Sequence, residues 1–83
     1  MQTVTINLLF FGSLKSHFGV DLCMLVPIGT NLATIFKILQ DKKPDAAEIL
    51  KSCQIAVDSE LETKDFIIVQ SSEVAILPPF SGG

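Results

Sequence analysis

The sequence predicts a small α+β fold: one mixed sheet with a single main helix packed on one face. Three observations predict it. Val4, Ile6, Leu8 and Phe10 alternate with Thr3, Thr5 and Asn7, which is the period of a strand with one buried face. Leu32, Ile35, Phe36 and Leu39 recur at i, i+3, i+4 and i+7, the one strong helical pattern in the chain. Around that helix the strand signals fall in the order strand, strand, helix, strand, short strand, strand.

Each element has a local reason. The first strand runs through Phe10, where Leu9 and Phe11 break its polar face, and Gly12 stops it. Ser13 is placed to cap a short helical turn over residues 14–18, ended by Gly19. Asp21–Pro27 is a second strand, antiparallel to the first across this short connection. Pro27-Ile28-Gly29-Thr30 breaks the chain, and Asn31 is the expected N-cap of the main helix. Asp41-Lys42-Lys43-Pro44-Asp45 terminates that helix, and residues 46–51 suit another turn of helix. Gln54–Val57 is a third strand. Asp58-Ser59 turns it into a short edge strand, Glu60–Glu62. Residues 66–69 are apolar between polar loops and fit a helical turn over the core as well as a strand. Ser71-Ser72 turns the chain into a last strand at residues 73–77. One helix on one face of such a sheet is the ubiquitin-like β-grasp arrangement.

Composition narrows the function. With 83 residues there is one domain and no room for two cores. Hydrophobic residues make up 48% and charged residues 18%, too apolar for a disordered chain. The net charge is −3, all six basic residues are Lys, and there is no Arg, Trp or Tyr. Nucleic-acid binders use basic patches, Arg forks and aromatic stacking, so nucleic acid is set aside as a partner. Cys23 and Cys53 are far apart and only one His is present, so no metal site is expected. Both cysteines read as small buried hydrophobes in a reducing compartment. The apolar stretch at residues 6–11 is too short for a membrane helix and follows an uncharged start. The expected location is therefore cytoplasmic, with no membrane partner.

Several polar residues invite a catalytic reading and do not sustain it. His17 has no triad partner in the sequence and reads as a surface or half-buried structural residue. Lys42-Lys43 is a solvated helix end, where cations also favour the helix dipole. Asp58 and Glu60 are turn residues rather than an acid–base pair. No Gly-rich phosphate loop is present, so the chain itself is not expected to bind ATP or another cofactor.

The chain ends Pro78-Pro79-Phe80-Ser81-Gly82-Gly83. Two terminal glycines lack Cβ atoms and leave a carboxylate with little steric shielding. Chance ends about 0.5% of chains this way, so the ending needs support from the rest of the sequence. That support exists. "SEVAILPPFSGG" resembles the closing pattern of the molybdopterin synthase sulfur carrier family: a Glu-Val-Ala strand, two prolines, variable residues, then Gly-Gly. "INLLFFGSLKSHFG" is similar to that family's first strand and turn, and "IAVDSEL" to its third strand and hairpin. Three positions depart from the pattern. Gln70-Ser71-Ser72 stands where the family commonly has Asp-Gly-Asp. Ile76 and Leu77 stand where it often has aromatics. Lys15 is the nearest substitute for an Arg after the first strand.

The resemblance implies a β-grasp domain at residues 1–77 and a flexible sulfur-carrying tail at residues 78–83. It implies that Gly83 is the reacting residue. A ubiquitin-activating-type enzyme would adenylate its carboxylate with ATP, and a separate sulfur donor enzyme would convert it to a thiocarboxylate. The tail would then enter the large subunit of the synthase and give its sulfur to cyclic pyranopterin monophosphate, building the dithiolene of molybdopterin. Pro78, Pro79, Phe80, Ser81 and Gly82, with Ile76 and Leu77, would contact the partner. The expected assembly is a heterotetramer, two small subunits on a large-subunit dimer. Its residue-level motive is an apolar surplus, because Leu9, Phe11, Ile76, Leu77 and Phe80 cannot all be internal. Three other readings use the same fold: a sulfur carrier for thiamine thiazole synthesis, a ubiquitin-like protein modifier, and an interaction module with idle terminal glycines.

Overall fold

A computed structural model of the chain describes residues 2–79. The strands are β1 (Thr3–Phe10), β2 (Asp21–Pro27), β3 (Gln54–Val57), β4 (Glu60–Glu62) and β5 (Ser72–Leu77). The helices are α1 (Lys15–Phe18), α2 (Leu32–Lys42) and α3 (Ala47–Lys51). The sheet order is β2-β1-β5-β3-β4. β1 pairs with β2 in antiparallel fashion and with β5 in parallel, so β1 and β5 lie at the centre of a mixed sheet. This is the expected β-grasp.

The alternation read from the sequence selects the buried face. Ile6, Leu8 and Phe10 of β1, Val26 of β2, Ile55 and Val57 of β3, and Val74 and Ile76 of β5 are all buried. They meet Leu32, Ile35, Phe36 and Leu39 of α2, which are buried too. Burying each such side chain stabilises the fold by about 1.5–3 kcal/mol relative to exposure. Asn31 caps α2 as expected: its Oδ1 accepts from the Thr34 N–H and the Thr34 hydroxyl, both at 2.9 Å. Phe18 of α1 stacks on Phe10 with ring centroids 4.8 Å apart.

Four local expectations are corrected. Ser13 caps nothing. A 3-10 turn, Gly12–Leu14, precedes α1, Phe11 holds the cap position, and no side chain bonds there. The second helical turn, expected from residue 46, is entered through a 3-10 turn, Pro44–Ala46, and α3 proper starts one residue later; Pro44 stands in the first turn, where an amide would have no partner inside the helix. β5 begins at Ser72, one residue earlier than expected, since Ser72 is already opposite Ile6.

The fourth correction is the largest. Residues 66–69 form neither a helical turn nor a full strand. Ile67 makes a single bridge to Asn31. Ile68 is fully buried while Ile67 and Val69 are exposed, so the segment is extended. Its backbone serves α2. The first amides of a helix have no partners inside it. Here Leu32 N donates to Phe66 O and Ala33 N to Lys64 O, both at 3.1 Å. Gly29 N donates to Ile68 O at 2.8 Å, and Ile68 N to Thr30 O at 2.9 Å. The ammonium of Lys64 also sits 5.0 Å from the Phe36 ring centroid.

Candidate functional site: the tail root and the open sheet face

Parallel pairing carries β1 and β5 in the same direction, ending at Phe10 opposite Ile76. The C-terminal segment therefore leaves the sheet from a central strand, beside the turn that follows β1. Gly12 sits in that turn with φ +59°, and a Cβ there would lie 2.9 Å from Cγ of Pro78. Gly12 thus provides both a left-handed backbone and the space that seats the first proline. Pro78 is half-buried and Pro79 is exposed, so the chain has turned into solvent by the second proline. Two consecutive prolines hold φ near −65° and stiffen this exit. Phe80, Ser81, Gly82 and Gly83 lie outside the described residues.

Among the described residues no helix covers the face of the sheet opposite α2. Across it, Leu9 is aligned with Ala75, Ala75 with Ala56, and Ala56 with Leu61. These residues form an apolar band running from β1 to β4. Leu77, half-buried, lies two residues beyond Ala75 on the same face of β5. Leu61 is 64% exposed and Phe11, just after β1, is 41% exposed. An exposed apolar band at the base of a proline-stiffened exit has the character of an interaction surface.

The structure divides the residues expected to contact a partner. Leu77, Pro78 and Pro79 are on or beside this surface. Ile76 is not: it is 0% exposed and belongs to the core, because it is aligned with Phe10 on the helix side of the sheet. Sequence reasoning grouped Ile76 with Leu77, although strand alternation places neighbours on opposite faces. It missed Ala56, Ala75 and Leu61, which are individually unremarkable and become a band only through cross-strand register.

The polar residues considered earlier have structural roles. Asp58 and Ser59 both have positive φ, 48° and 75°, the two-residue hairpin turn between β3 and β4. Asp58 N donates to Glu73 O, and Asp58 Oδ1 accepts from Glu73 N, both at 2.9 Å. His17 is half-buried beside Phe18. Cys23 corrects its expected burial: it is exposed on the open face, its thiol 3.5 Å from Asn7 Oδ1. Cys53 is half-buried and donates to Ile49 O at 3.1 Å. Burial pushes its thiol pKa up, against a smaller opposing pull from Lys64. Among the described residues no group of His, Cys, Asp or Glu is arranged to hold a metal ion, and no helix is long and apolar enough to cross a membrane.

Comparison with known proteins decides what this geometry belongs to. The model of the ThiS family matches residues 8–83, through the terminal Gly-Gly. The molybdopterin synthase sulfur carrier subunit of Arabidopsis thaliana is 32% identical, over 99% of this chain and 86% of that protein. The chain belongs to the ThiS family, among its molybdopterin synthase sulfur carrier subunits. The subunit of the same name from Caenorhabditis briggsae is 30% identical, over 96% of this chain and 99% of that one. Among solved structures, small archaeal modifier protein 1 from Methanosarcina acetivorans superposes with a TM-score of 0.78 at 20% identity, with both chains covered completely. That likeness is one of fold. A chain in the complex of subunits 1 and 2 of the molybdopterin-converting factor from Helicobacter pylori is 25% identical with a TM-score of 0.66, covering 96% of this chain and all of that one. The β-grasp fold and the family expectation therefore agree.

Proposed function

We propose that this chain is the sulfur-carrying subunit of a molybdopterin synthase and that the carboxylate of Gly83 is the group that carries sulfur. The observation supporting this most strongly is similarity to named sulfur carrier subunits over nearly the whole chain, with the family match running to Gly83. Carboxylate oxygen is a poor leaving group, so the carbon must be activated before sulfur can replace it. An adenylating partner uses ATP to form the acyl-adenylate and release pyrophosphate. A persulfide on a sulfur donor enzyme then attacks the acyl carbon and AMP departs. A second thiol attacks the donor's sulfur in the resulting acyl disulfide, forms a disulfide with it and releases the thiocarboxylate. Its sulfur is the nucleophile toward cyclic pyranopterin monophosphate, so the chain is a stoichiometric carrier. ATP is bound by the partner, and this chain holds no cofactor of its own.

The architecture suits that work. Residues 78–83 span up to roughly 20 Å when extended, at about 3.3 Å each, enough to reach a site inside another protein. Stiff prolines reduce the freedom lost on insertion. The glycines pass where a Cβ would clash. The open-face band, Leu9, Ala75, Ala56, Leu61 and Leu77, docks on the large subunit and sets the tail's aim. The assembly is a heterotetramer in the cytoplasm.

The test is reconstitution with a purified large subunit. The chain bearing a chemically installed Gly83 thiocarboxylate is expected to convert cyclic pyranopterin monophosphate to the dithiolene, and the unmodified chain to convert none. A thiocarboxylated chain that transfers sulfur only to a thiazole precursor, or a chain that forms isopeptide adducts with lysines, would overturn the proposal in favour of a thiazole carrier or a protein modifier.

A further inference from the structure

The two outer edges of the sheet are unlike. β4 is three residues long and carries Glu60 and Glu62. A short, charged edge is how natural sheets refuse further strands. β2 is seven residues long, and its sole charge is Asp21 at its start.

The free hydrogen-bonding groups of β2 can be assigned. Phe10 N donates to Val20 O, and Ile28 N to Gln2 O, both at 3.0 Å. These bonds fix the alternation of the antiparallel ladder. With Leu8 opposite Leu22, Ile6 opposite Met24 and Val4 opposite Val26, the amides of those β2 residues face β1. The amides and carbonyls of Asp21, Cys23 and Leu25 face outward, and all three residues are exposed. Pro27 ends the run, since it has no amide and its carbonyl already accepts from Thr30 N at 3.1 Å and Thr30 Oγ1 at 2.7 Å.

The geometry points to a second copy of this chain as the occupant of that edge, paired antiparallel about a two-fold axis through Cys23. In this register Asp21 faces Leu25 of the second copy, and Cys23 faces its own counterpart. Every outward amide of both copies then meets an outward carbonyl. Sliding two residues one way brings in Pro27, which supplies neither a donor nor a free acceptor. Sliding two residues the other way brings in Gly19, whose amide is already bonded to Lys15 O at 2.9 Å. The side chains agree with the backbone. On the helix side Leu22 lies beside Met24 of the second copy, and both are partly buried residues packed on the core. On the open side no charge faces a like charge, because each Asp21 meets a leucine. β1 separates this edge from β5, so pairing leaves the C-terminal exit free. The inference is independent of the sulfur-carrier reading.

Sedimentation of the full chain under reducing conditions, from micromolar to millimolar, tests it. The expected result is a concentration-dependent shift from monomer to dimer. Cys23→Lys sets two cations face to face on the axis and is expected to stay monomeric. Leu25→Pro removes one outward amide per copy without touching the bonds to β1, and is expected to weaken the dimer about tenfold. Cys23→Ser should leave the reversible dimer intact. Oxidised glutathione gives a second readout. Directly opposed residues have Cα atoms about 5.5 Å apart, within the disulfide range. One Cys23 thiolate attacks glutathione disulfide and releases one glutathione. The second Cys23 thiolate attacks the mixed disulfide and releases the other, the two thiol protons leaving on the glutathiones. A Cys23–Cys23 linked dimer is expected from wild type and from Cys53→Ser, and none from Cys23→Ser. A monomer at every concentration, a dimer indifferent to both Cys23→Lys and Leu25→Pro, or linkage through Cys53 would overturn the inference.

Discussion

Ile76 and Leu77 are consecutive in one strand and belong to different surfaces. Ile76 is 0% exposed, in the core with Phe10 and the apolar stripe of α2. Leu77 is half-buried on the face that no helix covers. The first face is closed by α2 and by the extended segment bonded to its first turn. The second is a band of modest apolar residues ending beside the Pro78 exit. Alternation along a strand thus commits each residue to one face, and on the docking proposal that means stability on one side and association on the other. A substitution that moves both properties together would contradict that division.

The largest expected effect is on sulfur transfer. Deleting Gly83 should abolish sulfur transfer in a reconstituted synthase while leaving the melting temperature unchanged. Next is Ile76→Ala, expected to destabilise the fold by about 2–5 kcal/mol in urea denaturation, the range for truncating a buried aliphatic side chain. Leu61→Glu is expected to do the opposite: stability within about 0.5 kcal/mol of wild type, and affinity for the large subunit about tenfold or more weaker by calorimetry. A Leu61→Glu chain that bound normally would remove the band from the docking surface. The smallest effect is on pH dependence. Burial raises the Cys53 thiol pKa in the folded chain. The folded state therefore keeps this proton at pH values where the unfolded thiol, titrating near 8.5, has lost it. Its contribution is full below about 8.5 and is lost as pH rises toward the higher folded value. Denaturation midpoints of wild type should fall more steeply above that pH than those of Cys53→Ala.

Much of this was legible in the sequence because it rests on short-range periodicity. Val4 to Phe10 marked a half-buried strand, and Leu32 to Leu39 a helix, each by its own spacing. The Asn31 cap needed only its neighbours. The rest depends on partners distant in the chain. Residues 66–69 are extended because their backbone bonds to Gly29, Thr30 and the first amide of α2, more than thirty positions earlier. The placement of Ile76 inside and Leu77 outside follows from register with β1, and the open-face band exists only once Leu9, Ala75, Ala56 and Leu61 are aligned. Cys23 has the composition of a buried residue and the position of an exposed one, on the uncovered side of an edge strand. At the site, the family resemblance marked the terminal glycines, while the role of Gly12 in seating Pro78 required the fold.

The central claim is that Gly83 carries sulfur, and intact mass tests it most directly. The full chain would be isolated from its own cells with its activating machinery present, and its terminal peptide weighed. A gain of about 16 Da, one oxygen replaced by sulfur, is the predicted result for a terminal thiocarboxylate. A terminal peptide that stays at its unmodified mass, even with ATP, activating enzyme and sulfur donor supplied, would contradict the account.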